Sequence, residues 1–245
     1  METQTVTEAN KTAGTDNQGL KKYPIAEIFT SIQGEGSFSG TQMTFVRFAG
    51  CSVGKKIPDP IKSNLGLPVY AEQCCTHDGR IFTCDTDFRT KEVLTVEEIL
   101  DRVSPGIVHL CLTGGEPLIH DLDALVHECL HRRMLVHIET SGTIPIPHVV
   151  LNMYTRASFW VTVSPKQGAR DAAILAADEV KLLVDEHFNE THVPESILQH
   201  RLIWIQPING EHEISRENLQ RCMVLLTKHP SWRLSLQIHK YLKVR

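Results

Sequence analysis

Short β-rich runs recur along this chain with amphipathic stretches between them, and that alternation limits the fold more than any other feature. The runs are YPIAEIFTSI (23–32), MTFVRFAG (43–50), IVHLCLTGG (107–115), MLVHIETSG (134–142), FWVTVSP (159–165), EVKLLV (179–184), RLIWIQP (201–207) and RLSLQI (233–238). Most are rich in β-branched or aromatic residues, and several end in Gly, Ser or Pro. Helical patterns occupy the gaps. Thr95 to Glu98 (TVEE) has the form of a capping box opening a helix to about Val103. Asp121 starts a second helix through Arg133, with Leu122, Leu125, Val126, Cys129 and Leu130 on one face, and Ser215 caps a third to about Lys228. Strands separated by helices build right-handed parallel βαβ units. The expectation is therefore an α/β protein whose series of units closes partly or wholly into a barrel, or lies as an open sheet.

In both arrangements, sites gather at the C-terminal ends of strands. Here those ends carry Thr113-Gly114-Gly115-Glu116, Glu139-Thr140-Ser141-Gly142, Ser164-Pro165-Lys166 and Gln206-Pro207-Ile208-Asn209, as an active site built across several units would require. Residues 1–21 hold almost no large apolar side chains and are expected to form a loose tail, leaving 22–245 as one domain. The segment 52–83 breaks the pattern. It shows no sustained periodicity, carries Pro58, Pro60 and Pro68, and exceeds a normal connection, so it reads as a functional loop or an insertion.

The net charge is −4 over 245 residues, which suggests neither a nucleic-acid nor a membrane binder. The sequence has neither the roughly 20 apolar residues in a row that a membrane helix needs nor a signal-peptide layout, so a cytoplasmic protein is expected. Its seven cysteines are an odd number in a reducing compartment, which argues against a disulfide framework. Cys111, Cys129 and Cys222 lie in apolar periodic segments and read as core residues. The other four crowd between Cys51 and Cys84. Thiolates are soft ligands suited to iron–sulfur clusters and zinc, and Cys51, one of Cys74 and Cys75, and Cys84 could supply three. Three protein thiolates would leave one iron of a cluster open to a further ligand. Spacing alone leaves scattered buried thiols equally open. His127 and His131 have i, i+4 ligand spacing but no HExxH context, and Arg132 and Arg133 beside them mark a solvated face.

The neighbourhood of the cysteines adds more. FVRFAGC ends at Cys51, CDTDF begins at Cys84, and LCLTGGEP follows downstream. In these residues the chain resembles the radical S-adenosylmethionine enzymes. With YPIAEIFTSIQGEG, IETSG, FWVTVSPK, IQPI and WRLSLQIHKYL added, in that order, it resembles more closely the 7-carboxy-7-deazaguanine synthase family over residues 23–245. It departs from that pattern in the cluster motif. The usual spacing is C-x3-C-x2-C, whereas position 81 is Ile and the 52–83 insert intervenes.

The resemblance implies a partial (β/α) barrel and a [4Fe–4S] cluster on Cys51, Cys74 (or Cys75) and Cys84, with S-adenosylmethionine on the open iron. It implies that Gly115 and Glu116 meet the cofactor's amino group. Ser141 and Ser164-Pro165-Lys166 would meet its ribose and carboxylate, and Gln206, Pro207, Ile208 and Asn209 its adenine side. Ile32, Gln33 and Gly34 would line a pterin substrate through backbone groups. Arg47 would meet the substrate carboxylate, Thr86 would ligate Mg2+, and Thr113, His239 and the Arg245 carboxylate would complete the substrate contacts. The implied reaction converts 6-carboxy-5,6,7,8-tetrahydropterin to 7-carboxy-7-deazaguanine with loss of ammonia, in a homodimer served by a reducing protein such as flavodoxin or ferredoxin. Two alternatives are a radical enzyme acting on another substrate, such as a glycyl-radical activating enzyme, and a non-catalytic zinc or iron–sulfur protein.

Overall fold

The computed structural model describes residues 14–15, 20–56, 61–62, 68–69, 72–84, 86–210 and 214–244. Its main sheet is built from β1 (Lys21–Ile32), β2 (Gln42–Phe48), β5 (Glu92–Thr95), β6 (His109–Gly114), β7 (Leu135–Thr140), β8 (Phe159–Val163), β9 (Glu179–Val184), β10 (Ile203–Pro207) and β11 (Arg233–Leu234). A separate ribbon holds β3 (Glu72–Cys75) and β4 (Ile81–Cys84). The strands β2, β6, β7, β8, β9, β10 and β11 lie side by side in that order, each parallel to the next. This run forms the partial barrel.

Period-two alternation decides which way each strand faces. Val46, Phe48, Leu110, Leu112, Val136, Ile138, Val161, Val163, Val180 and Leu182 point outward into one continuous apolar core. Helices α1 (Val96–Leu100), α2 (Asp123–His131) and α4 (Arg216–Lys228) cover it with Ile99, Leu125, Val126, Cys129, Cys222 and Leu225, while α3 (Asp171–Ala176) adds Ala173 and Ile174. The caps form as the sequence suggests. Glu98 N donates to Thr95 Oγ1 at 3.2 Å while Thr95 N donates back to the Glu98 carboxylate at 2.7 Å, and Asn218 N donates to Ser215 Oγ at 3.2 Å. The second helix is shorter than 121–133, running from Asp123 to His131.

The first two strands depart from the parallel scheme. β1 and β2 pair antiparallel because a tight loop with a single 3-10 turn at Gly36–Phe38, rather than a crossover α-helix, joins them; Gln33 N donates to Thr41 O at 2.7 Å and Gly40 N to Gln33 O at 2.8 Å. The run 233–238 is extended only to Leu234, and Ile238 already opens a short helix to Leu242. In the expected tail, Gly14–Thr15 pair with Lys21–Lys22; residues 1–13 and 16–19 lie outside the described residues. The insert is not structureless. Lys55–Lys56, β3 and β4 form an antiparallel sheet, and a second pairing joins Ile61–Lys62 to Pro68–Val69. Among the described residues no helix is long and apolar enough to cross a membrane.

Inside the barrel, away from the strand ends, the filling is aromatic. Phe38 meets the His137 ring edge-on at 4.5 Å and Trp160 at 5.0 Å between centroids, and His109 Nδ1 lies 2.9 Å from His137 Nε2. Burial is the main reason the His137 imidazole is pushed down to about 4, with His109 beside it adding to the shift. The folded chain therefore holds His137 neutral at pH values where the unfolded chain protonates it. Stability from this site is complete above about pH 6.5 and is lost as pH falls toward 4. We expect the thermal midpoint to drop between pH 7 and pH 5, and calorimetry of His137→Leu to show a shallower drop over the same interval.

Candidate active site

The C-terminal ends of the parallel strands open onto a cavity of about 600 Å³. Its walls come from the ends of β1, β2, β6, β7, β9 and β10, from the ribbon, and from the segment after β11. Among sequence-derived candidates, Ile32, Gln33, Gly34, Arg47, Cys51, Cys74, Cys84, Thr86, Thr113 and Gly115 line it, as do Ser141, Ser164, Lys166, Gln206, Pro207, Ile208, Asn209 and His239. Cys75, Glu116 and Pro165 are not among its lining residues. Arg245 lies outside the described residues.

Strand register separates the adjacent cysteines. Cys74 stands opposite Phe82 and Cys84 opposite Glu72, which puts Cys74, Phe82 and Cys84 on one face of the ribbon, toward the cavity; Cys75 stands opposite Ile81 and belongs to the other face. Cys51 reaches the same wall from the loop after β2. Its sulfur accepts from Gly54 N at 3.1 Å and Val53 N at 3.5 Å, the kind of hydrogen bonding that tunes a cluster thiolate. Burial pushes the Cys51 thiol up, and the Cys74 thiol to about 11, so both are protonated until a metal displaces the proton. Lys166, donating to Ser164 O and Oγ at 3.0 and 2.8 Å, places its ammonium among these thiols. Among the described residues no three His, Cys, Asp or Glu side chains could grip a single metal ion. The three thiols instead share one wall, and that soft donor set fits a cluster.

The loop carrying Cys51 is fixed by close backbone contact. A Cβ on Gly115 would lie 2.0 Å from Gly50 O and 2.9 Å from Cys51 Cβ, and Glu116 N donates to Gly50 O at 3.0 Å. Gly114, at φ +126, likewise leaves no room beside Phe48 O. Glu116 is fully buried. Its carboxylate accepts from Leu118 N at 3.2 Å, Thr140 Oγ1 at 2.8 Å, Ser141 N at 2.9 Å and Ser141 Oγ at 2.5 Å. That set of bonds uses its acceptor capacity to lock the end of β6 to the end of β7. The structure thus places Glu116 beneath the cavity wall, where its charge is spent on Thr140 and Ser141. His120 supports the same loop from below, Nε2 lying 2.8 Å from Ala49 O.

Arg47 and Thr86, which the sequence puts in separate roles, touch: Nη1 donates to Thr86 Oγ1 at 3.1 Å. The guanidinium also lies 3.7 Å from Glu27 and 5.5 Å from the Phe29 ring centroid. Gln33 offers the cavity its side chain, since its own N–H and C=O close the 33–41 loop. Gly34 packs directly on His239, where a Cβ would lie 1.8 Å from Nδ1, and its carbonyl accepts from Ile238 N at 3.0 Å.

Three charged residues complete the cavity: Glu35 and Lys181, to which the sequence reading gave no role, and Glu139, which it placed at a strand end without a partner. Lys181 Nζ is paired with Glu35 and lies 3.6 Å from Glu139. Gln237 and Gln206 donate to Glu35 Oε1 at 2.9 and 3.1 Å, and Gln33 Nε2 donates to Glu139 Oε1 at 2.8 Å. Burial pushes the Glu35 carboxyl upward, but the Lys181 charge overrides it and holds the group well below its usual range. The signal was the QGEG loop and a lysine inside the apolar run EVKLLV, whose charge has to be matched in the interior.

No family model matches the chain. Individual relatives do. The 7-carboxy-7-deazaguanine synthase of Buchnera aphidicola is 32% identical over 237 residues, spanning 91% of this chain and 99% of the relative. That of Bacteroides thetaiotaomicron is also 32% identical, spanning 90% and 98%. The chain belongs to the 7-carboxy-7-deazaguanine synthase family. The crystal structure of QueE from Escherichia coli superposes with a TM-score of 0.57 at 26% identity, covering 88% of this chain and 93% of that one. As a 7-carboxy-7-deazaguanine synthase family member the chain is a lyase of queuosine biosynthesis, and radical chemistry on a [4Fe–4S] cluster with S-adenosylmethionine goes with that membership.

The Gly115 contact generates a test. Gly115→Ala forces Gly50 and Cys51 to move, an overpacking cost of about 1–3 kcal/mol. Urea unfolding should show that loss, and less iron should be retained per chain after anaerobic reconstitution.

Proposed function

We propose that Cys51, Cys74 and Cys84 hold the cluster in this cavity, and that 6-carboxy-5,6,7,8-tetrahydropterin is converted there to 7-carboxy-7-deazaguanine. The observation that carries the reading is that these three thiols line one cavity with Arg47, Thr86, Thr113 and His239. When bound, the cluster and S-adenosylmethionine supply a 5'-deoxyadenosyl radical. The protein's share is to bind, orient and exclude water.

Gly115, Ser141, Ser164, Lys166, Pro207, Ile208 and Asn209 form the cofactor side, and Lys166 sets a cation where the cofactor's carboxylate would lie. Glu116 and Gln206 act on that side by positioning. Glu116 holds Ser141, and Gln206 holds Glu35 while accepting from Ser235 Oγ at 2.9 Å. On the substrate side, Arg47 offers a guanidinium fork to the pterin carboxylate. Thr86, already in contact with Arg47, would hold Mg2+ in this reading, a hard cation that takes oxygen ligands and would supply positive charge beside the substrate carboxylate. Gln33, Gly34, Thr113 and His239 enclose the ring.

Loss of ammonia balances the conversion by itself, so no net oxidant or reductant is consumed, and delivery of an electron to the cluster would serve only to start turnover. A reducing protein of the flavodoxin or ferredoxin kind suits that delivery. Resemblance to the family supports a homodimer.

The direct test is anaerobic incubation of the reconstituted chain with the carboxytetrahydropterin, S-adenosylmethionine, Mg2+ and a strong reductant, followed by mass spectrometry. We expect the ring-contracted product with ammonia lost; 5'-deoxyadenosine without that product would remove the substrate assignment. Cys51→Ala, Cys74→Ala and Cys84→Ala should lose the cluster's visible absorbance and the product, while Cys75→Ala keeps both. The opposite result for the adjacent pair would transfer the middle ligand to Cys75. Thr86→Ala should keep the cluster and require about tenfold more Mg2+ for half-maximal turnover.

A further inference from the structure

The chain lacks the compact cysteine spacing that would fix three thiols on one short loop, and the middle thiols sit far along the insert. Something else must hold them. The turn between β3 and β4 follows Cys75 directly. Thr76 is buried; its N–H donates to Arg80 O at 2.9 Å, Arg80 N donates back to Thr76 Oγ1 at 3.0 Å, and Thr76 Oγ1 donates to Asp78 Oδ1 at 2.5 Å. Gly79 makes the turn at φ +87, and a Cβ there would come within 3.0 Å of Gln167, the neighbour of Lys166. This is a closed, internally bonded tip.

Several side chains bind the tip to the barrel: the His77 ring packs 5.8 Å from that of Phe188, Asp78 lies 3.8 Å from His192, and Arg80 alone reaches both Asp78 and Asp185. Arg80 Nε donates to both Asp78 carboxylate oxygens, at 2.9 and 3.1 Å, while Nη1 is paired with Asp185, the first residue after β9. The guanidinium also lies over the Phe188 ring at 5.7 Å. Asp185 is itself held, because His187 N donates to its carboxylate at 3.0 Å and Phe188 N to its carbonyl at 3.1 Å. The Phe188 carbonyl in turn accepts from Arg221 of α4 at 2.6 and 3.1 Å. A planar guanidinium that bridges two carboxylates and stacks on an aromatic ring fixes orientation as well as distance.

We propose that Arg80 is a positioning residue for the cluster. Locked between Asp78 and Asp185, it sets the β3–β4 ribbon against the strand ends so that Cys74 and Cys84 face Cys51. The proposal rests on the reading that these three thiols hold the cluster. Partners that orient metal ligands are typically worth about 10–100-fold in metal retention, and Arg80 acts at that level.

The test uses the anaerobically reconstituted full chain. Arg80→Ala and Asp185→Ala should each lose their cluster absorbance to a chelator about tenfold faster than the parent. The exchanged pair, Arg80→Asp with Asp185→Arg, should recover part of that loss. Arg80→Lys keeps the charge without the planar fork and should fall between parent and Arg80→Ala, which holds the test open if the alanine variants fold poorly. Parent-like chelation rates in Arg80→Ala and Asp185→Ala, alongside cluster loss in Cys84→Ala, would overturn the clamp and leave the site reading standing. Retention of the cluster in Cys51→Ala and Cys84→Ala would overturn both.

Discussion

A lysine ammonium buried inside a barrel has lost nearly all of its contact with bulk water, and much of the site answers to that fact. Desolvating such an ion costs several kcal/mol unless charge and hydrogen bonds are supplied where it stands. Lys181 is 5% exposed, and its counter-charges arrive from two directions: Glu139 from β7, two strands away in the same sheet, and Glu35 from the loop that joins the first two strands. Glu35 in turn gathers Gln206 and Gln237. One buried cation therefore decides where the 33–36 loop and the segment after β11 must lie, and with them Gln33, Gly34 and His239.

A second constraint acts on the opposite wall, and it is steric. The approach of Gly115 to Gly50 leaves no space for a side chain, so the loop that delivers Cys51 is held against the end of β6 by contact alone. Glu116 and His120 then fix that contact with hydrogen bonds. The electrostatic wall and the steric wall meet at the cavity, and the ribbon closes the remaining side. Each wall uses a different force, so a change in one does not dissolve the others.

Much of this was legible in the sequence, for identifiable reasons. Alternation within each run exposed the strands, and Thr95 and Ser215 announced their helices through side chains that can bond only locally. The Gly-rich strand ends marked where a backbone must come close to something. Less legible were interactions between distant residues. A Glu in QGEG and a Lys in EVKLLV carry no sign that they are partners, since that pairing exists only after β9 is laid inside the barrel. The antiparallel start was visible in the missing crossover helix between 32 and 43. In the insert, Asp78-Gly79 between two β-rich stretches was a hairpin signal, masked by the prolines and polar residues before it. Glu116 was read by its charge, whereas burial and four donors turned it into a fastening.

Near neighbours in the cavity are far apart along the chain. Gly36 N donates to Ser235 Oγ at 3.1 Å, and Ile238 N donates to Gly34 O. During synthesis the partners of this loop emerge about two hundred positions after it, once every described parallel strand has been made. Until residues 235–239 leave the ribosome, Glu35 lacks Gln237, and Gly34 is uncovered. A nascent chain can therefore have most of the barrel and still lack an enclosed chamber, because the segment that closes the chamber is made after the strands it closes over.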